Sequence, residues 1–329
     1  MRSTLEESRP APNFFNCIIC PMFFPRDFDA PRHRLICIVV ILSFALGLSA
    51  CASFFPPEPT LTPTATASQT PEPPSATPEP MALTVNGEGI TVVEFNAEVQ
   101  RYLTAQTNLG RMVSPQEASQ TVMDDLTVQL LLAQAARAEG FTLDDAGVQA
   151  RIESLAAQVG GAEALSKWQA EHGYSEPAFR SALRRGAESA WMRDKILAEV
   201  PSTAEQVHVQ QILLYNQDDA QRFLMQLNGG ADFDELAFEA DPFTRGDLGW
   251  VPRGYLLEPK IEEAAFNLTV GQYSEVIATG VGFHIVRILA RDPQRPLSPD
   301  AHLALQELAL KQWIETQRQQ SDIIFAAQP

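Results

Sequence analysis

Gly246-Asp247-Leu248-Gly249-Trp250, then Glu262-Glu263-Ala264-Ala265-Phe266, then Gly282-Phe283-His284-Ile285-Val286 follow one another in the C-terminal part of the chain. The pattern around them alternates between strand and helix. Upstream, Val207–Leu214 first alternates apolar with polar and then turns fully apolar, as a buried strand does. Asp218–Leu227 has helical spacing and stops at Gly229-Gly230, Phe233–Glu239 is a second short helix, and Ile261–Phe266 is a third. Tyr273–Ala278 and Phe283–Leu289 read as two strands joined by the glycine-rich turn Thr279-Gly280-Val281-Gly282. The order is strand, helices, short strand, helix, hairpin, which predicts a small mixed domain over residues 205–292.

On both sides of it the sequence is helical. Leu83-Thr84-Val85-Asn86-Gly87 reads as a short strand and turn, and Thr91-Val92-Val93-Glu94 is a capping-box pattern opening a helix. Ser114-Pro115-Gln116-Glu117 opens the next one, with Val122, Leu126, Leu130 and Ala133 on one face and Gly140 at its C-terminal cap. Further helices are expected over Asp144–Gln158, Glu163–Glu171 and Glu176–Glu199, the last stopped by Pro201, with Trp168 and Trp191 as core residues. After the mixed domain, Pro299 precedes a helix over Asp300–Gln319 that carries Leu305, Leu308, Trp313 and Ile314 on a broad apolar stripe. Such a stripe must be covered, and the N-terminal helices offer the cover. The expected fold class is therefore α+β. A helical domain over 81–201 is completed by a C-terminal helix at 298–320, with the 205–292 domain inserted between them.

The first residues read as an address. Arg32 and Arg34 precede an apolar run from Leu35 to Ala50, whose helical length of roughly 24 Å falls short of a ~30 Å hydrocarbon core. Leu48-Ser49-Ala50-Cys51 resembles the bacterial lipobox, in which small residues admit a peptidase and the cysteine takes a diacylglycerol. Residues 1–50 are then a leader with a lipoprotein signal peptide, and Cys51 is the lipidation site. An uncleaved membrane anchor is the other reading; both place the rest of the chain outside the cytoplasm, anchored to the membrane. Residues 1–31 are long for the charged start of a signal peptide. Residues 51–80 are a Pro/Thr-rich tract with nine prolines between Ala52 and Pro80, too poor in core-forming residues to fold. Extended as polyproline II it reaches ~90 Å at most, a spacer that lifts a domain off a membrane.

Charge and cysteine usage exclude several functions. The formal charge is -17, and beyond Ala50 the chain carries 19 basic against 37 acidic groups. That balance repels nucleic acid, and no nucleic-acid motif is present. The four cysteines are Cys17, Cys20, Cys37 and Cys51, so nothing beyond Cys51 can form a disulfide or a thiolate metal site. Cys17 and Cys20 have CxxC spacing without a second pair; an upstream leader is the plain reading, against a redox or zinc role.

The ordered motifs around Gly246, Glu262, Gly271 and Gly282 strongly resemble the parvulin (PpiC-type) peptidyl-prolyl isomerase domain. The helical segment from Ala82 and the closing helix resemble, more loosely, the split chaperone domain of exported SurA-like and PrsA-like foldases. The chemistry implied is physically simple. Rotation about an X-Pro bond costs ~18–20 kcal/mol because the amide has partial double-bond character. A catalyst must bind the twisted amide better than either planar form, with an apolar seat for the proline ring and polar groups for the carbonyl or the prolyl nitrogen.

The resemblance also assigns residues. His284 matches the second of two histidines beneath the family's catalytic floor, Asp241 the Cys or Asp facing the amide, and Thr279 a hydrogen-bonding threonine. Leu248 and Leu256 or Leu257 match apolar pocket residues. Two positions depart from the pattern. Gln211 stands where the first histidine is usual, and Ile261 stands where an aromatic is usual, in a segment Gly254–Phe266 one residue longer than common. Gln211 still donates and accepts, whereas Ile261 removes a flat wall. Each residue has a plainer alternative: His284 as a satisfied core histidine, Asp241 before Pro242 as a turn residue or helix cap, and Glu258–Glu263 as a solvated helix face. Three functions remain open. They are an isomerase and foldase for unfolded or proline-containing exported polypeptides, a non-catalytic chaperone that kept the fold, and a structural lipoprotein. None needs a cofactor, metal or nucleotide.

Overall fold

The computed structural model describes residues 79–326. The lipobox, its Cys51 and the proline-rich spacer up to residue 78 lie outside them.

The chain enters through a hairpin, β1 (Met81–Val85) and β2 (Glu88–Thr91), turned by Asn86 and Gly87. Both turn residues have positive φ, +51° and +82°, the backbone a tight two-residue hairpin requires. Thr91 then caps α1 (Val92–Asn108) by accepting from the Glu94 amide. The reciprocal half of the capping box is not made, because the Glu94 carboxylate pairs instead with Arg185 at 2.7 Å. Ser114 caps α2 (Pro115–Ala138), with Pro115 at the first helical position where its missing N–H costs nothing. α3 (Asp145–Val159), α4 (Ala162–Glu171) and α5 (Glu176–Ala198) follow.

The second part begins with β3 (Thr203–Leu214), α6 (Gln217–Asn228) and α7 (Phe233–Ala240). It continues with β4 (Asp247–Pro252), α8 (Pro259–Asn267), β5 (Ile277–Ala278) and β6 (Phe283–Pro296). The four strands form an antiparallel sheet of order β4-β3-β6-β5. One sheet face, with Val207, Val209, Val286 and Ile288, packs on Ile261, Ala265 and Phe266 of α8. The opposite face, with Ile212 and Ile285, packs on α6 and α7 through Phe223, Leu224, Leu227, Phe233 and Leu236.

The chain closes with α9 (Pro299–Gln320) and β7 (Ile323–Phe325). Leu310 and Ile314 of α9 are buried against Leu132 and Ala136 of α2 and Met192 and Ile196 of α5. Each large side chain so covered contributes roughly 1.5–3 kcal/mol. β7 pairs with β1, so the two ends of the described chain share a sheet of order β2-β1-β7. The fold is thus α+β: a helical part built from both ends, with the four-stranded sheet domain inserted.

Two local expectations are corrected. The strand expected over Tyr273–Ala278 shrinks to β5, with Tyr273 making a single bridge to Arg287. Ser274 explains the break, because its hydroxyl rather than a backbone carbonyl accepts from the Val286 amide at 2.9 Å. β2 and β7 were not expected; both are short, and β7 exists through its pairing with β1 rather than through any pattern of its own.

Candidate functional site

β3 and β6 set the site. In their antiparallel register Gln211 stands opposite Val286 and Leu213 opposite His284. Strand alternation puts Gln211 and His284 on the α8 face of the sheet, diagonal to each other. The Nδ1 of His284 lies 2.8 Å from the Gln211 Oε1, and its Nε2 lies 2.9 Å from the Thr279 hydroxyl. An amide oxygen only accepts, so Nδ1 carries the proton and Nε2 is left to accept from Thr279. His284 is 3% exposed, and that burial pushes its imidazole below the ordinary histidine value, while the nearby Glu258 carboxylate pulls the other way. The result is a neutral imidazole of fixed tautomer beneath a hydroxyl.

Two glycines allow this placement. Gly246 has φ +66°, its carbonyl accepts from the Gln211 amide at 2.8 Å, and a Cβ there would sit 1.7 Å from the Gln211 carbonyl oxygen. Gly282 has φ +151°, and a Cβ there would meet the Leu214 carbonyl oxygen at 2.7 Å. The first brings the loop before β4 against β3; the second lets the β5–β6 turn close so that Thr279 reaches His284.

The apolar wall is made by Leu248 and Leu256, both packed on the cluster that contains buried Ile261. Asp247 shapes the turn around Leu248: its Oδ1 accepts from the Gly249 amide at 2.8 Å and pairs with His208 Nε2 at 2.8 Å. The His208 ring in turn stacks on Trp250 at 5.4 Å. Leu257, the alternative to Leu256 as a wall residue, is 97% exposed. The chain turns Leu256 inward by tying its amide to Glu262, and the next side chain points to solvent.

Asp241 caps the C-terminal end of α7 and is half-buried. Its carboxylate accepts from the Thr244 hydroxyl and from the amides of Phe243 and Thr244 at 3.0 and 3.3 Å, which together hold it below the usual carboxylate range. Among the described residues no hydrogen bond joins Asp241 to His284. Both its oxygens are engaged in the turn that leads to Gly246.

Two contributors went unread in the sequence. Glu262, taken as part of a solvated helix face, accepts from the amides of Gly254 at 2.8 Å and Leu256 at 3.3 Å. The legible signal was a carboxylate in the first turn of a helix that begins at Pro259, a position that faces preceding N–H groups. Glu258 precedes the same helix and places a negative charge near His284. Among the described residues no group of three or more His, Cys, Asp or Glu side chains is placed to hold a metal ion.

With this geometry in place, comparison with known proteins gives consistent matches. Residues 199–301 match the family model of the PPIC-type PPIase domain, and residues 74–178 match that of the SurA-like N-terminal domain. A foldase protein PrsA of Caldanaerobacter subterraneus is 25% identical over 238 residues, covering 62% of this chain and 71% of that protein. A foldase protein PrsA of Halalkalibacterium halodurans is 36% identical over 91 residues, covering 26% of this chain and 27% of that protein. A chaperone SurA of Alcanivorax borkumensis is 24% identical over 247 residues, covering 63% of this chain and 56% of that protein. A crystal structure of the peptidylprolyl isomerase PrsA from Bacillus anthracis aligns with TM-score 0.38 at 19% identity, covering 60% of this chain and 96% of that one. The chain spans less than two thirds of the length of most of these curated relatives.

Proposed function

We propose that this chain, which carries a PPIC-type PPIase domain at residues 199–301 and a SurA-like N-terminal domain at residues 74–178, is a peptidyl-prolyl isomerase and foldase for exported polypeptides. The observation that carries the reading is the Thr279–His284–Gln211 line lying on the sheet face that also bears Leu248 and Leu256. Leu248 and Leu256 seat the proline ring over the buried Ile261 and exclude water. The Thr279 hydroxyl, which donates to His284 Nε2 before substrate binds, turns its one proton to the prolyl nitrogen as the amide twists and loses resonance. His284 orients that hydroxyl, and Gln211 holds His284 in the tautomer that does so. Asp241 serves by fixing the turn rather than by contact with the amide. No bond is broken, so positioning and electrostatics suffice.

The leader supports an extracytoplasmic location with a diacylglycerol on Cys51, the following tract acting as tether, and unfolded proline-containing clients as partners. Mass spectrometry of membrane-extracted protein tests this: a lipid on an N-terminal Cys51 is expected, and an unmodified chain retaining residues 35–50 contradicts it.

A second reading, a chaperone without catalysis, is favoured by Gln211 in place of histidine, by the engaged Asp241 carboxylate and by Ile261 buried in the core. A protease-coupled assay on proline tetrapeptides separates the two. Isomerisation above background supports the first. Suppression of client aggregation without isomerisation supports the second.

A further inference from the structure

α9 is apolar on more than one side. Leu310 and Ile314 face the α2–α5 core, while His302 Nε2 lies 3.3 Å from the Val200 carbonyl oxygen and Gln306 donates to the Leu197 carbonyl at 3.1 Å. These contacts fasten α9 to the C-terminal end of α5. Leu305 and Leu308 meet a different neighbour, Gly254. A Cβ on Gly254 would come within 2.5 Å of Leu308 Cδ2 and 3.3 Å of Leu305 Cδ2. Gly254 has φ +84°, and its amide is the one held by Glu262. The same Glu262 oxygen holds the amide of Leu256, whose side chain lines the apolar wall. The segment Gly254–Leu256 is therefore gripped from within by α8 and from outside by the closing helix of the other part of the fold.

We infer that Leu308, with Leu305, is a positioning residue for the proline seat: α9 acts as a strut that holds Gly254–Leu256 against Glu262 and so fixes Leu256. The inference rests on the reading of Leu256 as part of that seat. A loop held on one side samples several placements, and small displacements of a wall residue weaken substrate binding more than they alter the chemistry of rotation. The glycine is the complementary half of the contact, since close approach of two packed surfaces leaves no room for a Cβ.

The test uses the full chain and four variants: Leu308→Ala, Leu308→Met, Gly254→Ala, and Gly254→Ala with Leu308→Ala. Hydrogen exchange of peptides covering residues 253–257 is read against peptides covering β3. Leu308→Ala is expected to speed exchange at 253–257 with β3 unchanged, and Leu308→Met to behave as wild type. Gly254→Ala should also loosen the segment, and the double variant should do so less than the two single effects added together, because the cavity accepts the new methyl. In the tetrapeptide assay Leu308→Ala should raise KM several-fold with kcat nearly unchanged. Unchanged exchange at 253–257 in Leu308→Ala, or strictly additive single effects, overturns the strut. Absence of isomerisation in the wild type would instead refute the proposed function, while the exchange measurements still decide the strut.

Discussion

The imidazole of His284 and the side-chain amide of Gln211 meet across β6 and β3 at 2.8 Å, seventy-three residues apart in sequence. The contact fixes which nitrogen of His284 is protonated, and so which way the Thr279 hydroxyl points. A protonated imidazole would donate from both nitrogens, and Thr279 would turn its hydroxyl to the Gly282 carbonyl, 3.3 Å away.

The protonation state of His284 follows from its burial. Its folded-state pKa lies below the unfolded value of 6.5, because desolvation disfavours the cation. The unfolded chain thus binds more protons in this window, so stability from a neutral His284 is complete above pH 6.5 and is lost as pH falls from there through the folded pKa. An NMR titration should show the His284 ring protonating below 6.5. His284→Asn should remove that part of the acid-side fall in Tm. Isomerisation by the wild type should be flat above that pH and decline on acidification.

Asp125, in α2, carries the opposite sign. Burial and the adjacent Asp124 push its carboxyl from 3.8 up to about 6. The folded state therefore holds a proton that the unfolded state has released, and stability is lost as pH rises through about 6. Asp125→Asn should raise Tm at pH 8 by a few degrees, about 1 kcal/mol for a domain of this size, and leave it unchanged below pH 3.8. Parallel melting curves at the two pH values check it.

Gly246→Ala should unmake the site. The new Cβ would need the space of the Gln211 carbonyl oxygen, 1.7 Å away, at a backbone φ of +66°. A loss of about 3 kcal/mol or more is expected from the clash and the strain together. Denaturant unfolding followed at Trp250, in the strand that this glycine leads into, measures it.

Much of this architecture was legible in the sequence, for physical reasons that differ from place to place. Ser114 and Pro115 announce α2 because cap chemistry is local. The apolar stripe of α9 demanded cover; Ile314 and Trp313, with Leu310, find it on α2 and α5, whereas Leu305 and Leu308 meet Gly254 of the inserted domain. His284, Thr279 and Gln211 came from ordered motifs, and the sheet register brings them together. What stayed hidden is set by tertiary contact. Glu262 holds a loop that only the fold places in front of it. Leu257 and Leu256 are equivalent as letters, and one backbone hydrogen bond decides which faces inward. At Asp241 the letters allow a turn residue as well as a site residue, and its three hydrogen bonds exist only once the chain has turned at Phe243 and Thr244.

Arg137 should matter to stability well away from His284 and Thr279. It bridges Glu88 of β2 and Glu188 of α5, the latter at 2.5 Å and 1% exposed. Arg137→Ala would leave Glu188 buried without its charge partner, at a cost of about 3–5 kcal/mol. Arg137→Ala combined with Glu188→Gln should recover part of that loss. Thermal melts of the single and double variants check the coupling.

The central claim, that the Thr279–His284–Gln211 line serves amide rotation, is tested most directly by a protease-coupled isomerase assay on the full chain, comparing wild type with Thr279→Val. Removing the hydroxyl deletes the polar group that the proposal sets against the twisting amide, together with its bonds to the Val281 amide and to His284. The account predicts isomerisation above background in the wild type and a loss on the order of tenfold or more in Thr279→Val, in a variant that still unfolds cooperatively. A wild type that isomerises no faster than background, or a Thr279→Val variant as active as wild type, would contradict it.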